Sequence, residues 1–347
     1  MFLLRSVFKN FPAASRAVVA ALSLTLLLLA GIRLYFHYDR PAIFLLGDSG
    51  IGNYRLEPGQ RLQDLMERMI PGTHVENWAE PGAAPLDFFL QLSRGELVAG
   101  IPQTVVIAFD PAKFLDDAST CRLDEDGVNL RWIPWNREGL SLFLSLTPRQ
   151  RNAALAQQAS VPFYAVADMG RALWLRYVLW PRDRARMRIS DAERRKLIEV
   201  KTLEQARGLE AEKLVDERAY AKLPRTRDAE FLLRSLQNKG VETRVLLLPF
   251  GNPGLIHKIC SASVQAKHDS VDVLMQHWLR SMNVSYIDFN APAEIIHFPD
   301  STWDDLAHPK SPAAFAYISE RLRQLLANPG PWPESSHLSA LSSPFRD

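Results

Sequence analysis

Three residues in two distant parts of the chain have the types and spacing of a nucleophilic site. Ser49 stands in Gly47-Asp48-Ser49, directly after the apolar run Ala42-Ile43-Phe44-Leu45-Leu46. Asp305 and His308 stand in Asp305-Leu306-Ala307-His308-Pro309, just ahead of a helical pattern over Pro312–Ala327. A serine hydroxyl is weakly nucleophilic until a base removes its proton, and a histidine base needs a carboxylate to fix its tautomer. Asp-x-x-His suits that pairing, because one turn of chain lets the carboxylate reach Nδ1–H while Nε2 faces the serine. The chemistry implied is acyl transfer. Each half also has an ordinary reading. Gly-Asp-Ser is common in turns, and Asp304 or Asp305 could simply cap a helix beside a surface histidine.

The elements that must position these groups alternate between strand and helix. Ala42–Leu46 is short, apolar and ended by glycine, as a buried parallel strand would be. A helix is expected over Pro58–Met69, a second strand over His74–Trp78 and a helix over Leu86–Leu92. Thr104–Phe109 reads as a strand stopped by Asp110-Pro111, Ala229–Lys239 as a helix ended by Gly240, and Arg244–Leu248 as a strand stopped by Pro249. Ser285–Phe289 is the last expected strand and Pro312–Ala327 the last helix. This order predicts a three-layer α/β/α fold around a central parallel sheet. In such sheets a site forms beyond the carboxyl ends of the strands. Ser49, Gly82, Asp110, Gly251 and the Asp305–His308 segment all come after an expected strand.

The 347 residues carry 41 basic and 39 acidic side chains, a net charge of +2 that argues against a general nucleic-acid binder. The N-terminus says more. Ala17–Ile32 is uncharged and mostly apolar, and Arg5, Lys9 and Arg16 precede it with no acidic residue before Asp39. A bilayer needs roughly 20 apolar residues, which the stretch reaches if Leu34, Tyr35 and Phe36 sit at the interface. An uncleaved transmembrane signal-anchor is expected. A cleaved leader is the alternative, disfavoured by the poor cleavage site Leu28-Leu29-Ala30. Residues 1–37 are then the cytoplasmic end and the single membrane pass, with residues 17–36 in contact with lipid. The rest is placed outside the cytoplasm, which argues against cytosolic nucleotide cofactors. Cys121 and Cys260 permit one disulfide there without requiring it.

The pairing of the two motifs resembles the SGNH, or GDSL-type, hydrolase superfamily of esterases and O-acyltransferases. The resemblance covers Ala42–Ala112 and Ala229–Ala327 and implies an SGNH, flavodoxin-like arrangement. It makes Ser49 the nucleophile, His308 the general base and Asp305 its orienting partner. The family's second block, a turn glycine that donates its N–H to the oxyanion, is matched by Asn77-Trp78-Ala79-Glu80-Pro81-Gly82-Ala83. Gly82 and the Ser49 N–H would then form most of the oxyanion hole. The third block departs: Ala108-Phe109-Asp110-Pro111-Ala112-Lys113 lacks the family's asparagine. Asn53 and Asn252 are candidate substitutes. Membrane-anchored members of D-alanyl–teichoic-acid transfer and polysaccharide O-acetylation type share this organisation. They imply an acylated glycan or acyl donor as substrate and an integral-membrane acyltransferase as partner.

A conventional α/β-hydrolase is disfavoured, because its Gly-x-Ser-x-Gly elbow would need glycine where Ile51 stands. A zinc site is not suggested either: there is no His-Glu-x-x-His, and His257-Lys258-Ile259-Cys260 is a lone pair. No metal or cofactor is expected. From about 115 to 226 the alternation fails, and the segment reads as a helical insertion in a domain spanning 38–327. Its Ala172–Trp180 stretch, with arginines at both ends, suits either a bilayer surface or a core helix with solvated arginines. Residues 328–347, rich in Pro and Ser, read as a poorly ordered tail. Two functions are compatible with these features: an extracytoplasmic esterase or O-acyltransferase of envelope polysaccharide, or a non-catalytic accessory of the same fold that binds glycan or a membrane partner.

Overall fold

The computed structural model describes residues 23–24, 27, 30–31, 42–52, 56–80, 82–114, 130–158, 160–161, 164–167, 190, 192–193, 196, 199–200, 216–249, 261–299, 302–303 and 311–327. Strand β1 (Ile43–Leu46) is followed by α1 (Leu62–Met69), β2 (Val75–Asn77), α2 (Pro85–Ala99) and β3 (Thr104–Phe109). Two 3₁₀ turns, Pro111–Phe114 and Leu130–Trp132, lead to α3 (Arg137–Ser145) and α4 (Pro148–Gln158). Then come α5 (Glu217–Tyr220), α6 (Pro224–Asn238), β4 (Glu242–Leu247), α7 (Ala262–Ser281), β5 (Ser285–Asp288), α8 (Pro292–Ile295) and α9 (Pro312–Ala327).

The five strands are all parallel, in the order β2-β1-β3-β4-β5. Alternate residues of each strand enter opposite layers, as the pleat requires. Phe44, Leu46, Val105, Ile107, Phe109, Val245 and Leu247 pack into one core with α2, α6 and α7. Ile43, Leu45, Val106, Ala108, Leu246 and Ile287 pack into the other with α1 and α9. Both faces are covered, which is why these strands are apolar runs rather than alternating ones.

The strand order reverses at β1. From β1 the chain steps one way through α1 to β2; from β2 onward it steps the other way through α2, α6 and α7. Right-handed crossovers put α1 on one face of the sheet and the other three on the opposite face. The loops leaving β1 and β3 therefore lead to opposite faces, and this reversal is the place where ligands bind in open sheets of this kind.

The expected helix Leu86–Leu92 runs from Pro85 to Ala99, through Ser93-Arg94-Gly95. Gly95 is kept in the helix by packing. A Cβ there would lie 2.6 Å from Phe44 Cε2 and 2.9 Å from Trp78 Nε1, so only glycine lets these two rings press on the helix. The expected helix Pro58–Met69 is shorter, beginning at Leu62, and Ala229–Lys239 is longer, beginning at Pro224, inside the limit expected for the insertion. The longest described helix, α7, has no counterpart among the elements expected from sequence. Its apolar face of Val271, Met275, Trp278 and Leu279 is interrupted by the buried polar residues Asp272 and Gln276, which blurs the 3.6-residue period.

No described helix is long and apolar enough to cross a membrane. The expected span lies mostly outside the described residues, apart from Ser23, Leu24, Leu27, Ala30 and Gly31, which are helical, with both leucines exposed. Ala172–Trp180, Cys121, Cys260 and the expected tail also lie outside them. Within the insertion, Asn136 caps α3 by accepting from Gly139 N at 2.8 Å, and Ser190 and Glu193 cap each other reciprocally.

Gly95→Ala overpacks the contact between α2, β1 and Trp78. It is expected to lower unfolding stability by about 1–3 kcal/mol, read from urea denaturation, with the sheet retained by circular dichroism.

Candidate active site

Ser49 sits in the turn that leaves β1 at the reversal point, and it is buried with a small exposed remnant of 8%. The turn is made by its neighbours. Asp48 accepts from Gly50 N at 2.7 Å, closing an Asx turn around the serine. Gly50 is closely packed here, because a Cβ would fall 2.3 Å from the Cδ1 methyl of Leu248, just past β4, which would have to move. Gly47 is equally confined, its imagined Cβ lying 3.1 Å from Ile51 and 3.2 Å from Ala108.

The Gly47 peptide is gripped by a side chain from the next layer. Gln91 of α2 accepts from Gly47 N at 3.3 Å and donates through Nε2 to Gly47 O at 3.2 Å. The same carbonyl accepts from Glu80 N at 3.1 Å. Asn77 binds the serine loop to the β2 loop, donating to Ile51 O at 2.8 Å and accepting from Ala79 N at 3.0 Å. The block after β2 is therefore hydrogen-bonded to the block after β1. Gly82, with φ +73°, occupies the left-handed region where glycine is favoured. Ala83 N donates to Glu80 O at 3.2 Å, closing the turn around Gly82.

The third block ends differently. Phe109 is followed by Asp110 and the 3₁₀ turn Pro111–Phe114, whose Phe114 ring packs against Phe109 at 5.0 Å and Trp278 of α7 at 6.4 Å. Phe114 is buried, so the turn is fastened into the core at the place where the resembled family presents an asparagine.

Asp305, His308, Asn53 and Asn252 lie outside the described residues; Ser49 and Gly82 are described, in turns joined by the bond from Glu80 N to Gly47 O. The described flanks of Asp305–His308 are informative. Trp303 packs on Phe298 at 6.3 Å and donates Nε1–H to Phe298 O at 2.9 Å. Phe298 packs on Phe289, whose N–H donates to Leu247 O at the carboxyl end of β4. Ser311 caps α9, accepting from Ala314 N at 3.1 Å. Through Phe298 and Phe289 the Trp303 flank is joined to the carboxyl ends of β4 and β5. Among the described residues no group of three or more His, Cys, Asp or Glu could hold a metal ion.

Two acidic groups in the helical layer that holds α6 and α7 are perturbed. The Asp272 carboxyl is pushed well above the usual range by burial and then by the neighbouring charge of Asp288. Gln276 donates to both carboxylates, at 3.1 and 2.9 Å, and Asn290 donates to Asp272 and to Leu248 O. The raised Asp272 carboxyl favours its neutral form beside Asp288, and Asn290 holds the residue just past the end of β4. Asp228 of α6 is raised to about 6, first by burial and then by Asp87 at the start of α2, with Arg225 opposing.

Gln91, which holds the Gly47 peptide, and Arg94, which holds the Glu80 side chain, are residues of the candidate site that sequence reasoning misses. Their signal was a set of polar residues on the buried face of an apolar helix.

No family model matches the chain, and no curated protein does either. A solved structure similar to it is the extracellular lipase of Streptomyces rimosus, with 13% identity over 82% of this chain and 99% of the lipase, at a TM-score of 0.33. A likeness at that level carries no argument about function.

Gln91→Leu keeps the volume and leaves both polar groups of the Gly47 peptide short of a partner. It is expected to cost about 1–3 kcal/mol in denaturant unfolding, and Gln91→Glu at least as much at neutral pH, because a buried carboxylate would keep the acceptor for Gly47 N but face the Gly47 carbonyl with no donor. For Asp228 the raised value means that the folded state holds a proton the unfolded chain has released between about pH 4 and 6. Its contribution therefore falls as pH rises through that window. Asp228→Asn is expected to match the wild type near pH 4 and to exceed it by on the order of 2 kcal/mol above pH 6, read from urea midpoints at the two pH values.

Proposed function

We propose that the protein is a membrane-anchored, extracytoplasmic ester hydrolase or O-acyltransferase of SGNH type. Its substrates would be acetyl or alanyl esters of cell-envelope or exported polysaccharide. The observation that carries this reading is the hydrogen-bonded pairing of the Ser49 turn with the Gly82 turn at the reversal point of the sheet. A nucleophile and a left-handed glycine turn, tied through one carbonyl, are what acyl transfer needs from the first two strands.

In this mechanism Ser49 Oγ attacks the ester carbonyl carbon as His308 takes its proton and Asp305 holds the imidazole. The Ser49 and Gly82 N–H groups receive the oxyanion. Collapse returns the proton to the departing alcohol and leaves an acyl-serine. Water then completes hydrolysis, or a sugar hydroxyl completes transfer. Residues 17–36 would hold the domain at the cytoplasmic membrane, beside an integral-membrane acyltransferase that supplies acyl groups. The basic flank Arg5, Lys9 and Arg16 supports that orientation.

A second reading, an accessory that binds without turnover, is favoured by one feature. The third block is closed by the buried Phe114 in place of a further oxyanion donor.

Full-length protein in detergent is expected to be labelled by a fluorophosphonate probe. Ser49→Ala should abolish the label, and His308→Ala should slow it by roughly 10⁴-fold. Folded wild-type protein that takes no label would overturn the catalytic reading in favour of the accessory one.

A further inference from the structure

Arg94 of α2 is a buried cation, 7% exposed, that meets two indoles and one carboxylate. Its guanidinium lies 5.4 Å from the Trp78 ring centroid and 5.4 Å from that of Trp132, held by one indole of the β2 loop and one of the insertion. Its NH1 donates to Glu80 Oε1 at 2.5 Å. Both indoles are buried, and Gly95 beside Arg94 provides the space in which Trp78 lies on the helix. Such cation–aromatic contacts gain strength when water is excluded from the cation.

Glu80 is the residue whose backbone joins the two turns. Its N–H donates to Gly47 O beneath Ser49, and its C=O accepts from Ala83 N around Gly82. Fixing the Glu80 side chain therefore steadies the first residue of the turn that carries the Gly82 N–H. A guanidinium suits this place because it is planar, stays charged when buried, and stacks while its N–H groups bond in plane. Lysine has the charge without the plane.

We infer that Arg94 is a positioning residue for the Gly82 turn, and that Trp132 makes the insertion part of that turn's support. The inference rests on the proposed role of Gly82 as an oxyanion donor. Arg94 acts through Glu80 and touches no reacting atom. Trp132 is a described point at which the segment between β3 and α6 reaches the site. A displacement of Leu130–Trp132 would be transmitted to Gly82 through this cation.

The test uses the full-length protein and the variants Arg94→Met, Arg94→Lys and Glu80→Gln. Amide hydrogen exchange at Glu80 and Ala83 reads the positioning without reference to activity. Arg94→Met should speed exchange at both amides by about 10-fold, with β4 amides unchanged, and Arg94→Lys should recover part of the protection. Turnover of p-nitrophenyl acetate reads the consequence. kcat should fall about 10-fold or more in Arg94→Met with KM within about 3-fold, and the Arg94→Met/Glu80→Gln double variant should be no slower than either single one.

Exchange at Glu80 and Ala83 that stays as in the wild type overturns the inference. So does an unchanged kcat in a wild-type background that turns over through Ser49. If Arg94→Met fails to fold, Glu80→Gln, at a more exposed position, decides by the same two measurements. A wild type without Ser49-dependent turnover counts against the proposed function alone, and exchange still judges Arg94.

Discussion

Everything at the carboxyl edge of the sheet depends on how the peptide of Gly47 is held. Its carbonyl accepts from the Glu80 backbone and from Gln91, and its N–H donates back to Gln91. A buried peptide at a strand end has left its ladder and must find partners elsewhere, or cost about 1–3 kcal/mol per unmet group. Here the partners come from the β2 loop and from α2. Meeting the needs of one peptide thereby ties together the serine turn, the glycine turn and the helix that starts just beyond them. The absence of a side chain at Gly47 is what allows it, since Ile51 and Ala108 already fill the space.

The sheet makes this economy possible. Because strand order reverses at β1, α1 and α2 pass down opposite faces, and the serine loop emerges between them with apolar layers on both sides. The far edge is finished with polar contacts instead. Asp272 and Gln276, both buried, join the half-buried Asp288 and Asn290 in a cluster that holds Leu248, and Leu248 in turn packs where a Gly50 side chain would stand. Burying a carboxyl group such as Asp272 is unfavourable unless donors compensate it. Gln276 and Asn290 supply amide donors, and burial together with the Asp288 charge favours its neutral form. The Ser49 turn is thus bounded by amide contacts from α2 on one side and by the end of β4 on the other.

Much of this frame was legible in the chain. Thr104–Phe109 and Pro312–Ala327 have the limits expected from sequence, since each is strongly patterned and bounded by proline or a cap. Legibility failed where polar residues face inward. In α7, Asp272 and Gln276 take positions on the buried face, so periodicity is lost although the helix is long. In α2, a serine, an arginine and a glycine in succession imitate a helix end, yet Ser93 returns its hydroxyl to Phe89 O and Arg94 finds two indoles. The serine and glycine of the site were readable because a turn after a strand needs few residue types. Gln91 and Arg94 were not, because their partners are backbone groups and rings brought near only by the fold.

The third block gives that support its meaning. If the chain performs acyl transfer, it lacks the asparagine that the resembled family uses after β3, and one missing donor is worth on the order of 2.7–4 kcal/mol of transition-state stabilisation. Pro111–Phe114 is committed to the core and is not free to replace it. The remaining N–H groups, on Ser49 and Gly82, are backbone groups, and a backbone donor cannot rotate to find its acceptor as a side chain can. Its strength depends on where the turn is held. A buried ion pair with two flanking indoles is a costly way to hold a loop, since the cation gives up its water. It is a reasonable one where a small displacement of Gly82 would weaken half of the remaining hole. The insertion, which supplies one of those indoles, is then part of the site's framework and not an ornament on its surface.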